Sequence, residues 1–478
     1  MPSSKRLPTC ALTSEVHIAC ESNRWKEIEE RLRKESPNEA CVFAFTRQSR
    51  GSSRTTSILR ECFWPVDGDV QASPHWLEIS ADYISRVMDA AVDAGESTGI
   101  ALIHTHPDTE YGIGRGVFSG RDDWYEARLF PTITLARPKA ISASIVLGSA
   151  SKDIDARVWW NDGSGVRTQP ANLLRLVGPE ITFIETPHSD WRDHPDPSMM
   201  DRSTRLWGAE GRRILQNLRV GIVGVGGTGS IVLFSLATMG VGRICAWDID
   251  TMKKENLHRT LGATKDTIGS NNVEAIAPTI RAIATATPFD LMPFDSSGTS
   301  TAGLIKLKDC DLAFCCVDRF APRVPLNDFA YAHLVPVIDM ASWIDASEKT
   351  VDAIMTHAHV WSPGIPCAWC RQTITSRRLT REAQGDQRDI ERRAPYGLPL
   401  EQTDGVEPSV LPLNVAGVGL ALLEFMQVAL KVTKRTPRDL KLFLPEWELD
   451  ESDLDSQFEC DTEDATGLGD TARIRPVS

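Results

Sequence analysis

A surplus of basic residues is missing from this 478-residue chain: 52 Lys and Arg stand against 65 Asp and Glu, for a formal net charge of −13. Phosphate backbones are held by basic faces, so nucleic acid is not an expected partner. A regular cysteine spacing is missing too. The eleven cysteines sit irregularly in a chain far larger than small disulfide-built scaffolds, and most read as reduced core thiols. The N-terminal MPSSKRLPTC has charge but no apolar core behind it; it does not read as a signal peptide, and the expected location is the cytoplasm. No membrane span is expected. The longest uncharged run, residues 220 to 242, holds seven glycines, which favours a strand, a turn and a helix over one bilayer-length helix. A repeat of fixed period is also absent.

What is present is enough chain for two or three domains of about 100 to 200 residues. Residues 1–20 read as a flexible N-terminus. WKEIEERLRK, from Trp25 to Lys34, is an amphipathic helix, EACVFAF from Glu39 a buried strand, and Ile100 to Ile103 another strand. A small α+β domain over 21–186 fits these patterns. Residues 187–200, PHSDWRDHPDPSMM, carry three prolines and no hydrophobic period, as a linker does. Helix and strand patterns then alternate over 201–445, the signature of an α/β domain with a doubly wound, Rossmann-like parallel sheet. Residues 446–478 read as an acidic C-terminal tail. Its first part, 446 to 464, has ten Asp and Glu and no Lys or Arg, and reads as a solvated run or a docking surface for a basic partner.

One constellation points to a metal. GIALIHTHPD, from Gly99 to Asp108, is a strand ending on His-x-His. In an extended chain residues i and i+2 share a face, so His104 and His106 can converge on one ion. Two histidines alone more often belong to a core or a surface. Ser119-Gly-Arg-Asp122 downstream adds a carboxylate and a hydroxyl, and Glu39 adds a base. A catalytic zinc needs three protein ligands, an open position and a base. The set resembles the JAB/MPN (JAMM) metallopeptidases over roughly residues 20 to 180. The resemblance implies zinc on His104, His106 and Asp122, Glu39 as general base for water, and Ser119 as donor to the developing oxyanion. The stretch between Pro107 and Ser119 is several residues longer than in that family, which leaves Asp123 as a rival to Asp122.

A second constellation points to a nucleotide. The turn Gly224-Val-Gly226-Gly227-Thr-Gly229-Ser follows a strand and opens an apolar helix, where backbone N–H groups can approach phosphate. Such a turn alone would also suit a dehydrogenase. Asp248-Ile-Asp250 and Glu-Asn256-Leu-His-Arg259 follow, and then Asp318 with Arg323 and Asn327. An amide and a guanidinium at that offset suit phosphates better than a dinucleotide ribose. Together with Arg202 and Arg205 these stretches resemble the ThiF/MoeB superfamily, which activates ubiquitin-like proteins and sulfur carriers. That resemblance implies ATP as substrate, ribose binding by Asp248, phosphate contacts from Asn256 and Arg259, magnesium at Asp318, and Arg205 acting across a homodimer. As ordinary helix residues, Arg202 and Arg205 would simply be solvated.

Two positions depart from that family. Asn272 stands where a lysine is usual, with Lys253, Lys254 and Lys265 as substitutes. Of the usual four-cysteine zinc site only Cys367, Cys370 and Cys460 are present, leaving a structural zinc with an unidentified fourth ligand or no metal. His357 and His359 read as packing residues that could also serve. No cysteine lies between 371 and 459, so a thioester nucleophile is missing from its usual place, unless Cys367 or Cys370 serves. The whole reads as a bifunctional enzyme that adenylates a ubiquitin-like protein and cleaves peptide or isopeptide bonds at such a C-terminus. A bacterial conjugation pathway, antiviral defence among its settings, is the expected context, with a conjugating enzyme or sulfur donor downstream. The alternatives are sulfur-carrier processing for biosynthesis and a non-catalytic scaffold that binds a ubiquitin-like tail.

Overall fold

Apolar strands such as CVFAFT and GIALIHT bury both faces, so each must lie inside a sheet covered on two sides. The computed structural model describes residues 12–110, 112–347, 350–384, 409–436, 439–444, 448–452 and 460–475. They form two units: residues to Asp190 with Ala332–Leu334 and Ala465–Arg473, and the remainder from Trp191.

In unit 1 the described residues build a nine-stranded sheet. Its strands are β1 (Glu15–Glu21), β2 (Cys41–Arg50), β3 (Arg54–Phe63), β6 (Gly99–Thr105), β7 (Ser142–Leu147), β8 (Ile154–Asn161), β9 (Val166–Pro170), β10 (Leu173–Val177) and β11 (Ile181–Glu185); β4 (Val70–Ser73) and β5 (Trp76–Ile79) make a separate hairpin. The order is β11-β10-β1-β3-β2-β6-β7-β8-β9. Helix α1 (Ser22–Arg33) lays Trp25, Ile28 and Leu32 on one face, while α2 (Ala81–Asp93) and α3 (Gly120–Ala136) cover the other through Tyr83, Val87, Leu129, Phe130 and Ile133. The expected flexible N-terminus is corrected here. Residues 15–20 lie in β1, held in parallel between β10 and β3, because the alternation in EVHIACE fits a buried strand; residues 1–11 lie outside the described residues.

Unit 2 is an eight-stranded sheet ordered β14-β13-β12-β15-β16-β17-β18-β19 among the described residues. The first five are β12 (Arg219–Val223), β13 (Arg243–Asp248), β14 (Asp290–Asp295), β15 (Leu312–Cys315) and β16 (Val337–Ser347). They are parallel, in the 3-2-1-4-5 order of a doubly wound fold. The remaining β17 (Thr350–Trp361), β18 (Asp439–Leu444) and β19 (Glu448–Ser452) continue antiparallel, so the expected parallel sheet is mixed. The helix Leu411–Leu430 is long and apolar enough to cross a membrane, and over half of its most apolar window is buried in the protein. It packs on β16 and β17, with Leu413, Val418, Ala421, Phe425 and Val428 inside.

Two boundaries move. The expected linker divides: residues 187–190 belong to unit 1, where Asn172 donates to the His188 carbonyl, and 191–200 to unit 2, where the Asn217 side chain pairs with the Arg192 backbone and buried His194 meets the Thr285 carbonyl. Nor is the acidic stretch a loose tail, since Glu448–Ser452 pairs with β18 and Cys460 is buried. An edge strand tolerates charge on its open side, which hides it in a charge count. Residues 446–447, 453–459 and 476–478 of that stretch lie outside the described residues.

Candidate functional site

The start of β2 pairs with the end of β6, Cys41 opposite His104, which brings Glu39 to the His-x-His. Helix α3 supplies the carboxylate. Ser119 caps it in a reciprocal box: Asp122 N–H donates to Ser119 Oγ at 3.2 Å and Ser119 N–H to Asp122 Oδ2 at 2.6 Å. His104 Nε2 and His106 Nε2 each lie 3.3 Å from an Asp122 oxygen. A tetrahedral zinc with bonds of about 2.0–2.1 Å separates its ligand atoms by about 3.3–3.4 Å. His104 is 3% exposed and neither of its ring nitrogens has a hydrogen-bond partner, a costly state for a buried imidazole unless an ion fills it. His106 Nδ1 lies 3.1 Å from the Arg115 carbonyl; donation there leaves Nε2 for a metal. Asp123 is excluded as a ligand: it is turned to Arg157 at 2.7 Å. The electrostatics agree. Burial pushes the Glu39 carboxyl up, opposed by the charges of His106 and His104. Burial opposes ionisation of Asp122 too, but the two imidazoles hold it far below the carboxylate range.

In unit 2 the glycine turn lies between β12 and β15, where the strand order reverses and nucleotides bind in such sheets. Gly224 needs its left-handed φ of 91°, and a Cβ on Gly229 would fall 1.9 Å from the Gly224 carbonyl oxygen. A Cβ on Gly227 would lie 3.6 Å from Arg259 Cγ and Cδ and 2.6 Å from Asn414 Nδ2. Arg259 thus lies over the turn, its Nη2 reaching Asn256 Oδ1 at 3.4 Å. Gly226 opens helix α5 (Gly227–Met239) as its cap residue.

Asp248 is not free for a ribose. It is 8% exposed, and its two oxygens accept the N–H groups of Val225 (2.6 Å) and Asp250 (2.8 Å); burial raises its pKa. The exposed carboxylate beside the turn is that of Asp250. Asn272, at the start of α6 (Asn272–Ile283), is buried and its side chain helps hold Asp248, so it presents no substitute for a cation; Lys253, Lys254 and Lys265 are exposed nearby in sequence. Asp318 is exposed just past β15. Buried Arg323 grips the chain on both sides of it, donating to the Val317 carbonyl (2.9 Å) and the Arg319 carbonyl (3.1 Å). Arg205 is 77% exposed and paired with Asp201 on its own helix, α4 (Asp201–Asn217), so nothing in one chain gives it a nucleotide contact. Arg202 is exposed as well.

Cys367 Sγ lies 3.7 Å from Cys370 Sγ and 3.5 Å from Cys460 Sγ. Zinc with thiolate bonds of about 2.3 Å sets such atoms about 3.7–3.8 Å apart. No fourth His, Cys, Asp or Glu joins them among the described residues. His357 and His359 are elsewhere, in a buried cluster with Asp339.

Residues 200–435 match the model of the ThiF family. This stretch is a ThiF family domain. Ubiquitin-like modifier-activating enzyme 5 of Xenopus laevis is 26% identical over 245 residues, 49% of this chain and 58% of that protein. Molybdopterin-synthase adenylyltransferase of Escherichia coli is 30% identical over 164 residues, 34% of this chain and 61% of that protein. The chain spans less than two thirds of the length of these relatives. Among solved structures it is similar to Escherichia coli MccB with ATP, at 17% identity and a TM-score of 0.42, covering 58% of this chain and 74% of that one. The ThiF match begins at residue 200, so unit 1 is read from its own geometry. Sequence reasoning missed the Arg115 carbonyl, Asn414 and Asp339, which no local pattern marks.

Proposed function

We propose that unit 2 is an adenylyltransferase acting on the C-terminal carboxylate of a ubiquitin-like or sulfur-carrier protein. The observation that carries this is Arg259 packed over the glycine turn at the strand-order reversal, with Asp250 and Asp318 exposed past neighbouring strand ends. A substrate carboxylate oxygen attacks the α-phosphorus of ATP, the bond to the bridging oxygen breaks, and pyrophosphate leaves with its electron pair. Backbone N–H groups of the turn, Asn256 and Arg259 take the growing phosphate charge. Asp250, in place of Asp248, takes the ribose hydroxyls. Asp318, steadied by Arg323, would hold magnesium, which supplies charge neutralisation at the phosphates. Arg205 would act in a second copy of the chain, as the exposure of its guanidinium allows. ATP–pyrophosphate exchange tests the reading: Asp318→Ala should lower exchange by more than 100-fold with unit 1 unaffected. Absence of exchange with every candidate partner would favour the scaffold reading, which the loss of the lysine to Asn272 supports.

Unit 1, in the same proposal, is a JAB/MPN-type zinc metallopeptidase that works on the modifier's C-terminal junction. His104, His106 and Asp122 would hold the zinc, whose contribution is Lewis acidity toward the scissile carbonyl and water. Glu39 takes the proton from the attacking water and returns it to the leaving amine. Ser119, at the exposed mouth, offers a hydroxyl to the developing oxyanion. Glu39→Gln should retain zinc and lose cleavage of a modifier fusion by about 10²–10⁴-fold, the usual worth of a general base; full activity in that variant would overturn the role.

Cys367, Cys370 and Cys460 would hold a structural zinc. Thiolates committed to that zinc are not free to act as a thioester nucleophile. The adenylate is therefore handed directly to a conjugating enzyme or a sulfur donor. A sulfur-carrier role differs only in that second acceptor.

A further inference from the structure

The two zinc-site histidines of unit 1 are unequally supported. His106 has the Arg115 carbonyl behind its Nδ1 at 3.1 Å. His104, which is buried, has nothing behind its Nδ1. Metal-bound histidines almost always give their second ring N–H to a carboxylate, a carbonyl or water, because that bond fixes the tautomer and the ring orientation.

A buried carboxylate with a spare oxygen stands on the same face of the sheet. Glu126 follows Asp122 by four residues on α3, so the two lie one turn apart on one side of the helix. It is 1% exposed. Its Oε2 is saturated by Ser144 Oγ at 2.9 Å and by the Arg157 guanidinium, with Nε at 2.7 Å. Its Oε1, equally buried, has no partner. Ser144 is directly opposite Leu102 on β6, and Leu102 and His104 are two residues apart, so their side chains share that face. The His104 ring is also among the charges that act on the Glu126 carboxyl. Two unpaired buried groups of complementary kind thus sit on adjoining positions of one face, a donor N–H and an acceptor oxygen, each costly if left alone.

We infer that Glu126 is the positioning residue for His104: with metal bound, its Oε1 accepts the His104 Nδ1–H and commits Nε2 to the ion. The inference rests on the zinc-site reading of unit 1. Ser144 and Arg157 hold the other oxygen and so fix the carboxylate's orientation.

Zinc affinity of the full chain, measured in competition with a chelator, tests this, with His106→Ala defining the zinc that belongs to this site. Glu126→Leu removes the acceptor and should weaken that zinc by about 10–100-fold. Ser144→Ala disturbs the same buried group but leaves Oε1, and should bind zinc as the parent does. The second readout is the His104 Nδ1–H resonance of the zinc-loaded, histidine-labelled chain, expected to shift in Glu126→Gln. A folded Glu126→Leu with parental zinc affinity overturns the inference and leaves the zinc site standing. An unmoved resonance in Glu126→Gln overturns it even if the leucine variant does not fold. Equal zinc in the parent and His106→Ala would instead sink the zinc site itself.

Discussion

His104, His106 and Asp122 in unit 1 and His357, His359 and Asp339 in unit 2 offer the same donors, two imidazoles and a carboxylate, each set with ligand atoms within 4.8 Å of one another. Their surroundings differ. Around Asp339 the charges are already balanced: Arg323 Nε lies 2.9 Å and His357 Nε2 3.1 Å away. His359 is paired with buried Asp439, which also meets Arg371 and Lys441, each at 3.1 Å. Three cations already face two carboxylates there, and a divalent ion would add to an excess of positive charge. In unit 1 the two imidazoles face one carboxylate, with Glu39 beside them, and no Arg or Lys pairs with Asp122 among the described residues. Donor identity therefore does not make a metal site. What decides is whether fixed cations already neutralise the carboxylates or leave their charge open to an ion.

The sharpest way to break that contrast is to remove each aspartate. Asp339→Ala strands Arg323, which is 2% exposed, and should cost unit 2 about 3–5 kcal/mol in denaturant unfolding. Asp122→Ala should cost metal-free unit 1 only about 1 kcal/mol, the value of a helix-cap interaction, while abolishing zinc uptake at that site. Equal losses in the two variants would mean the clusters are alike after all.

Acid titration gives an effect with a definite sign. Burial and the neighbouring His357 lower the His359 pKa to about 3, against about 6.5 in an unfolded chain. The unfolded state thus binds the extra proton first. Stability from the neutral His359 is complete above about pH 6.5 and falls as pH drops toward 3, by up to about 1.4 kcal/mol per pH unit. The depressed Asp339 and Asp439 add their own loss only below about pH 4, where unfolded carboxylates protonate. His359→Gln should flatten the slope of unit 2 stability between about pH 6 and about pH 4.5; an unchanged slope would show that His359 is not the group responsible. Ser119→Ala should likewise cost α3 about 1 kcal/mol through its lost cap, read as a lower melting temperature of metal-free protein.

Sequence by itself determined the parts whose spacing is local. His-x-His on a strand, Ser-x-x-Asp at a helix start and the glycine turn between strand and helix each fix their geometry within a few bonds, so their residues were legible without the fold. The alternation of strands and helices after residue 200 determined the parallel half of the sheet for the same reason. Only the tertiary structure decided which of two adjacent carboxylates is available: Asp122 faces the histidines while Asp123 meets Arg157, and Asp248 braces the turn while Asp250 is exposed. Those choices depend on partners such as Val225 and Arg157, 23 and 34 positions away in the chain, beyond any helix or strand period. The same holds for β1, which reads as flexible until β10, more than 150 residues later, pairs with it. It holds again for His357 and His359, whose chemistry is set by Asp339 and Asp439 on the neighbouring strands. Spacing places a donor on a face, but the free energy of leaving it unpaired depends on what the rest of the chain folds against it.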